Sequence, residues 1–210
     1  MRISWISDSG LRIETTQGLI LYNHASDSLT KDSQKDENTI AIFQNEENKK
    51  VSENKISDST DIIFEPGEYE INGIPIQGQV VKLNTENLDE STTIYSAISE
   101  NLCICFVQDI NKITIPASVS EAIGKVDILA LICDPSSENT TESINSLVSS
   151  LDPQVLIPIE NNSKGESSEI YQKLIKELGH QAEEAIGKAN ITKSGLQETL
   201  KVVNLRKTTL

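Results

Sequence analysis

The residues that most often perform hydrolytic or metal-dependent chemistry are scarce in this chain of 210 residues. It contains two histidines, His24 and His180, and three cysteines. A structural or catalytic zinc site needs three or four His, Cys or carboxylate ligands brought together. His24 follows an apolar run and is expected in a surface turn. His180 follows Gly179, which is predicted to end a helix, and an imidazole at that position interacts favourably with the negative end of the helix dipole. Neither histidine therefore predicts a catalytic centre by itself.

The three cysteines are predicted to be buried thiols. Cys103 and Cys105 alternate within Leu102–Val107 and therefore point to one face of a strand, and Cys133 also lies in an apolar run. Three thiols in such surroundings are typical of a reducing compartment, so we expect a cytoplasmic protein. Ser9 has no histidine base nearby in the sequence, so a nucleophilic serine is not supported.

Charge and length exclude several classes of function. The chain carries 32 acidic and 18 basic residues, a formal net charge of −14. A surface this negative repels phosphate backbones, so we expect no nucleic-acid partner. No apolar stretch approaches the roughly 20 residues of a membrane span, and the start lacks a signal-peptide pattern, so we expect no membrane partner. The length predicts a single domain over residues 1–210.

The first half of the chain has the pattern of short strands separated by turns. Polar stretches at Ser26–Asp36 and Gln44–Thr60 are predicted to be loops, the second of them exposed. The predicted strands are Arg2–Ile6, Leu11–Glu14, Leu19–Tyr22, Thr39–Phe43, Asp61–Phe64, Tyr69–Ile71, Ile74–Val81, Thr92–Ala97 and Leu102–Val107. Asn72-Gly73 between two of these runs predicts a hairpin.

Beyond residue 110, helices and strands alternate. The helices are predicted at Pro116–Ile123, Asn139–Leu151 and Glu166–Leu178, and the strands at Val126–Ile132, Val155–Ile159 and Glu198–Leu205. The second helix presents one apolar stripe (Ile144, Leu147, Val148, Leu151), as does the third (Ile170, Leu174, Leu178), so each can cover one sheet surface. The class is therefore α/β or α+β, with mostly antiparallel strands first and βαβ-like units later.

Two segments carry a resemblance to a known family. Met1–Glu14 resembles the first hairpin of metallo-β-lactamase-fold proteins, in the branch similar to L-ascorbate-6-phosphate lactonases. Glu65–Ile74 resembles a Pro-Gly-Glu-Tyr-Glu segment of that branch and is the more specific match. The resemblance covers nearly the whole chain and implies a four-layer αββα sandwich. It also implies a site at the sandwich rim where two Zn or Mn ions generate a hydroxide nucleophile.

The family's metal ligands have few counterparts here. Its His-x-His-x-Asp-His motif falls on a segment in which Gln44 and Glu46 stand at the first two His positions, Asn48 at the Asp and Lys49 at the third His. The bridging Asp is matched by Asp109, the last His by Glu160, and the His of a Gly-His-Ser turn by Asp8. The resemblance thus implies a degenerate site, with no catalytic residue, no metal ligand and no cofactor assigned.

Two functions remain open at this stage. The first is a non-catalytic protein, a pseudoenzyme on a hydrolase-like fold, with a binding or assembly role for a protein or small-molecule partner, which includes assembly as a homo-oligomer. The second is a divergent metal-dependent hydrolase of small phosphorylated or lactone-like substrates. An unconventional site is a further alternative, because Asp8, Glu46, Asp109 and Glu160 would converge on one rim in this fold and could attract Mg²⁺ or Ca²⁺.

Overall fold

Two β-sheets and three α-helices form the part of the chain that the computed structural model describes: residues 1–6, 9–23, 38–44, 49, 59–84, 86, 90–108, 113–133, 140–160, 169–177 and 184–208. The strands are β1 (Arg2–Trp5), β2 (Leu11–Glu14), β3 (Leu19–Tyr22), β4 (Thr39–Ile42), β5 (Asp61–Ile63), β6 (Gly67–Ile71), β7 (Ile74–Lys82), β8 (Ser91–Ser99), β9 (Leu102–Val107), β10 (Ile128–Cys133), β11 (Val155–Glu160), β12 (Ala189–Asn190) and β13 (Lys201–Val202). The helices are α1 (Ala117–Ile123), α2 (Thr140–Leu151) and α3 (Glu169–Glu177), and a 3₁₀ turn spans Lys193–Gly195.

Each sheet combines antiparallel and parallel pairs. The first sheet has the order β12-β1-β2-β3-β4-β5 and the second the order β13-β11-β10-β9-β8-β7-β6. The strands of the first half pair mostly antiparallel, as the sequence predicted, but β3, β4 and β5 of the first sheet are parallel. Parallel neighbours need crossovers of a dozen or more residues. The connections from β3 to β4 and from β4 to β5, which contain the two polar stretches, have that length.

The main core lies between the two sheets. Trp5, Tyr22 and Phe106 are among its large, fully buried side chains. A second core lies on the other face of the second sheet, where α2 contributes Ile144, Leu147 and Leu151, and α3 contributes Tyr171 and Ile175. The predicted fold class is confirmed, with two sheets packed face to face and helices outside. The predicted inward positions Ile170, Leu174 and Leu178 are not among the described side chains.

The local turns follow the sequence signals. Asn72 and Gly73 have φ values of 53° and 73°, the left-handed pair that joins β6 to β7 in a tight hairpin. Gly124 ends α1, as predicted, with φ 73° and its N–H bonded to the carbonyl of Ser120. Pro116, predicted to open that helix, is its N-cap. Among the described residues, no helix is long and apolar enough to cross a membrane.

The carboxyl-terminal strand prediction is wrong in extent. Only Lys201–Val202 pair with β11 as a strand, whereas Leu205 forms an isolated bridge with Ile186. The sequence also gave no signal for β12, whose two residues pair with β1. Strands this short contain too few residues for the alternation of apolar and polar side chains to be visible.

Candidate functional site

Strand ends from both sheets meet at one rim of the sandwich. Asn23 follows β3 and Gln44 closely follows β4 in the first sheet, while Gln108 follows β9 in the second sheet. Asn23 Nδ2 donates a hydrogen bond of 2.6 Å to Gln108 Oε1. This contact joins the two sheets directly through neutral carboxamides at the edge where parallel strands end.

Gln44 extends this connection with three hydrogen bonds. Its backbone N–H donates to Asn23 Oδ1 at 2.8 Å, and its Nε2 donates to Thr92 Oγ1 at 2.7 Å. Its Oε1 accepts from the hydroxyl of Tyr22. We call Asn23, Gln44 and Gln108, with the hydroxyls of Tyr22 and Thr92, the carboxamide bridge. Its hydrogen-bonding atoms belong to neutral groups.

The bridge is held by packing and by backbone geometry. The ring of Tyr22 stacks on Phe106, with centroids 4.3 Å apart and an interplanar angle of 13°. Asn23 is fully buried and has φ 44°, a left-handed conformation that Asn tolerates better than most residues. Its N–H donates to the carbonyl of Ile42 at 2.9 Å. The backbone of Asn23 is therefore held at the end of β3, and its side chain is held by the bonds to Gln108 and Gln44.

The resemblance predicts Lys49 at the position of the third ligand histidine. Its Nζ lies 5.0 Å from the centroid of the Phe64 ring, a cation–π contact. The backbone at Lys49 is helical, whereas the sequence predicted a loop there. An ammonium group has three donors and no acceptor, so it cannot ligate a cation.

Glu160, which the resemblance matches to the last ligand histidine, is buried at the end of β11 with 4% of its surface exposed. It is paired in register with Cys133 of β10. Alternation along β11 places Glu160 on the same face as Leu156, which packs in the core under the helices. Burial raises the pKa of the nearby Tyr171 phenol well above its usual range, and the charges of Cys133 and Glu160 add to this effect. Glu160 thus lies on the helix side of the second sheet.

The other predicted site residues, namely Asp8, Glu46, Asn48 and Asp109, and both histidines lie outside the described residues. The convergence of four carboxylates therefore stays a prediction. Within the described ranges there is no group of three or more His, Cys, Asp and Glu side chains that could hold a metal ion. Gln44 is engaged in hydrogen bonds and Lys49 is a cation, so the described residues at the predicted ligand positions do not fit a dinuclear site.

Comparison with known proteins establishes the family. A sequence model of the beta-lactamase superfamily domain matches residues 2–160. The chain belongs to this superfamily. A sequence search of curated proteins finds no match to this superfamily member.

Solved structures share the fold of this beta-lactamase superfamily chain at low sequence identity. A Thermotoga maritima protein assigned to the Zn-dependent hydrolases of the metallo-β-lactamase superfamily is 13% identical, with a TM-score of 0.69 over 97% of this chain and 98% of that one. A Parabacteroides distasonis protein assigned as a metal-dependent hydrolase is 14% identical, with a TM-score of 0.61 over 97% and 92%. Igni18, a metallo hydrolase from Ignicoccus hospitalis, is 9% identical, with a TM-score of 0.59 over 100% and 97%.

Sequence reasoning did not single out four members of the carboxamide bridge in this superfamily chain: Tyr22, Asn23, Thr92 and Gln108. Two weak signals were present, because Asn23 directly precedes His24 and Gln108 directly precedes Asp109. Both pairs follow predicted strands at the rim. The meeting of Asn23 with Gln108 spans 85 positions of sequence, and only the packing of the two sheets brings the pair together.

Proposed function

We propose that this beta-lactamase superfamily protein is non-catalytic and serves as a binding or assembly protein. The observation that carries the proposal is the engagement of Gln44, whose side chain bonds to Tyr22 and Thr92. The resemblance predicts this residue at the position of the first ligand histidine. A side chain held in this way does not present a nitrogen to a metal.

The chemistry of the rim supports the same conclusion. Hydrolysis on this fold depends on a metal ion that lowers the pKa of bound water until hydroxide forms near neutral pH. Carboxamides and hydroxyls are weak metal ligands and do not change the pKa of water in this way. The cation of Lys49, 5.0 Å from the Phe64 ring, opposes a second positive charge nearby.

A divergent metal-dependent hydrolase acting on small phosphorylated or lactone-like substrates is the second candidate. One observation favours it: the similar solved structures are assigned to metal-dependent hydrolases. The candidate would require ligands drawn from Asp8, Glu46 and Asp109 rather than from histidines. Such a carboxylate set suits a hard cation better than zinc.

Metal analysis decides between the two candidates. The purified protein would be incubated with Zn²⁺, Mn²⁺ or Mg²⁺ and dialysed. Its metal content would then be measured by inductively coupled plasma mass spectrometry. We expect far less than one equivalent of each metal. A variant that restores the family motif (Gln44→His, Glu46→His, Asn48→Asp and Lys49→His) serves as the positive control. One or two tightly bound equivalents in the natural chain would overturn the non-catalytic proposal.

A further inference from the structure

A groove of about 290 Å³ lies on the outer face of the second sheet, at its β6 edge. Glu68 of β6, Gln77 of β7 and Ser96 of β8 are paired across three neighbouring strands and line it together. Ile98 and Ile123, the last residue of α1, also contribute to its walls. The groove is therefore separate from the carboxamide bridge, which lies between the sheets.

The groove exposes apolar surface. Ile98 is 46% exposed, although its partner in the register, Cys103, is buried. Pro75, which also lines the groove, is exposed as well. Isolated exposed apolar residues are common on protein surfaces. Here Ile98 and Pro75 line one concave pocket, a shape that can surround an apolar side chain.

Acidic side chains flank this apolar surface. Glu68 and Glu70 are exposed and, two residues apart on β6, share its outer face. Neither forms an ion pair within the described parts of the chain. Glu121 is exposed on α1, two residues before Ile123. The nearby cation of Lys125 lies 3.9 Å from Asp127, so it is directed towards that carboxylate.

We infer that this groove binds a short peptide segment of a partner protein, with an apolar side chain in the groove and lysine or arginine residues against Glu68 and Glu70. The inference deepens the proposed binding role and rests on it. Opposite charges around an apolar anchor favour both encounter and orientation. A second copy of this chain would bring the same glutamates face to face, and like charges disfavour that pairing.

Fluorescence anisotropy with a labelled synthetic peptide tests the inference. The probe is a seven-residue peptide in which two leucines alternate with three lysines between terminal glycines. One control peptide replaces the lysines by glutamate, and a second replaces the leucines by serine. We expect only the first peptide to bind well, with an affinity that falls as salt screens the charges.

Matched variants separate the groove from the general acidity of the chain. Glu68→Lys combined with Glu70→Lys should weaken binding by roughly tenfold or more, because two attractive contacts become repulsive. Glu184→Lys combined with Glu198→Lys changes the net charge by the same amount at exposed positions elsewhere, and it should change affinity by less than about twofold. Ile98→Thr, which keeps a β-branched side chain, should weaken binding by roughly fivefold. Circular dichroism verifies that each variant is folded.

Three results would overturn the inference. Equal weakening by both pairs of lysine substitutions would show binding through net charge alone. If the lysine and leucine peptide does not bind, the remaining role of Glu68 and Glu70 is to prevent the β6 edge from pairing with other sheets. A dimer in sedimentation that Ile98→Thr dissociates would make a second copy the occupant. The non-catalytic proposal is tested separately by metal analysis. It is unaffected by these three results if the protein binds no metal, and it is overturned by bound metal whether or not the peptide binds.

Discussion

Gln44 donates to Thr92 and accepts from Tyr22, so both polar atoms of its side chain have partners within the sandwich. The sequence predicted an exposed loop beginning at Gln44, in which truncation of side chains would have little effect. The hydrogen bonds contradict that prediction for Gln44 itself. A polar residue at a strand end cannot be distinguished by sequence from the first residue of a loop.

Gln44→Ala should destabilise the protein by about 1–3 kcal/mol, because it removes two side-chain hydrogen bonds worth roughly 0.5–1.5 kcal/mol each. The measurement is urea unfolding followed by circular dichroism. Gln197→Ala is the matched control, since this exposed glutamine is bonded through its backbone carbonyl, which the substitution keeps. Equal stabilities of the two variants would contradict the role given to the carboxamide bridge.

The thiols of Cys103, Cys105 and Cys133 are buried and form no disulfide; the sequence predicted their burial. Burial raises the pKa of the Cys103 thiol to about 11, and the charge of Asp127 adds to the effect. The native protein should therefore react very slowly with a thiol reagent at pH 8, whereas three thiols should react once it is unfolded in urea. Rapid labelling of one thiol in the native state would show that the strands around it open.

The same shift gives a pH dependence of stability. The folded pKa of Cys103 lies above its ordinary value of 9.0, so the contribution of the neutral thiol is fully present below pH 9. It is lost as the pH rises from about 9 towards 11, because the unfolded chain then ionises first. The free energy of unfolding should decline over that range. The free energy of unfolding of the Cys103→Ser variant should decline less steeply.

At the scale of elements, Asp127 connects three segments at the end of the strands away from the rim. Its Oδ2 accepts the N–H of Cys103 in β9 at 2.9 Å, and its Oδ1 is 2.7 Å from Nζ of Lys193 in the 3₁₀ turn. Its backbone carbonyl accepts the N–H groups of Gln154 and Val155 next to β11. The side chain of Asp127 is 3% exposed and that of Lys193 is 45% exposed.

Asp127→Ala should cost roughly 1.5–3 kcal/mol of unfolding free energy, because it leaves a buried N–H without a charged acceptor. Lys193→Ala should cost about 1 kcal/mol or less, since solvent already screens half of that side chain. Thermal unfolding of both variants measures the difference. A larger loss for Lys193→Ala would show that the ion pair, rather than the hydrogen bond to β9, stabilises this junction.

At the scale of the whole molecule, stability should not depend on a metal. EDTA should leave the melting temperature unchanged, because ligands stabilise a fold only when they bind the native state. Differential scanning fluorimetry with and without EDTA, followed by addition of Zn²⁺ or Mn²⁺, checks this. A fall of several degrees that metal restores would contradict the non-catalytic proposal.

The sequence predicted the fold well wherever an apolar run was continuous or helical periodicity was strong. β9, with six consecutive buried residues, matched the predicted bounds, and α2 began within one residue of its predicted start. It missed β12 and overestimated the length of β13; both strands have two residues and are set by pairing with distant strands. For the candidate site, the family resemblance predicted Gln44 at the rim but could not show its partner Thr92, because hydrogen bonds between sheets depend on their packing.

Trp5 is the only tryptophan of the chain and is 1% exposed in the core between the two sheets. Its backbone carbonyl accepts the N–H of Thr208 at 2.8 Å, which ties the carboxyl-terminal segment to β1. A single indole in dry surroundings emits at shorter wavelength than one in water, so the colour of its fluorescence records whether the sheets are in contact. Trp5 is therefore an intrinsic fluorescence probe, which needs no label and reports on the separation of the two sheets.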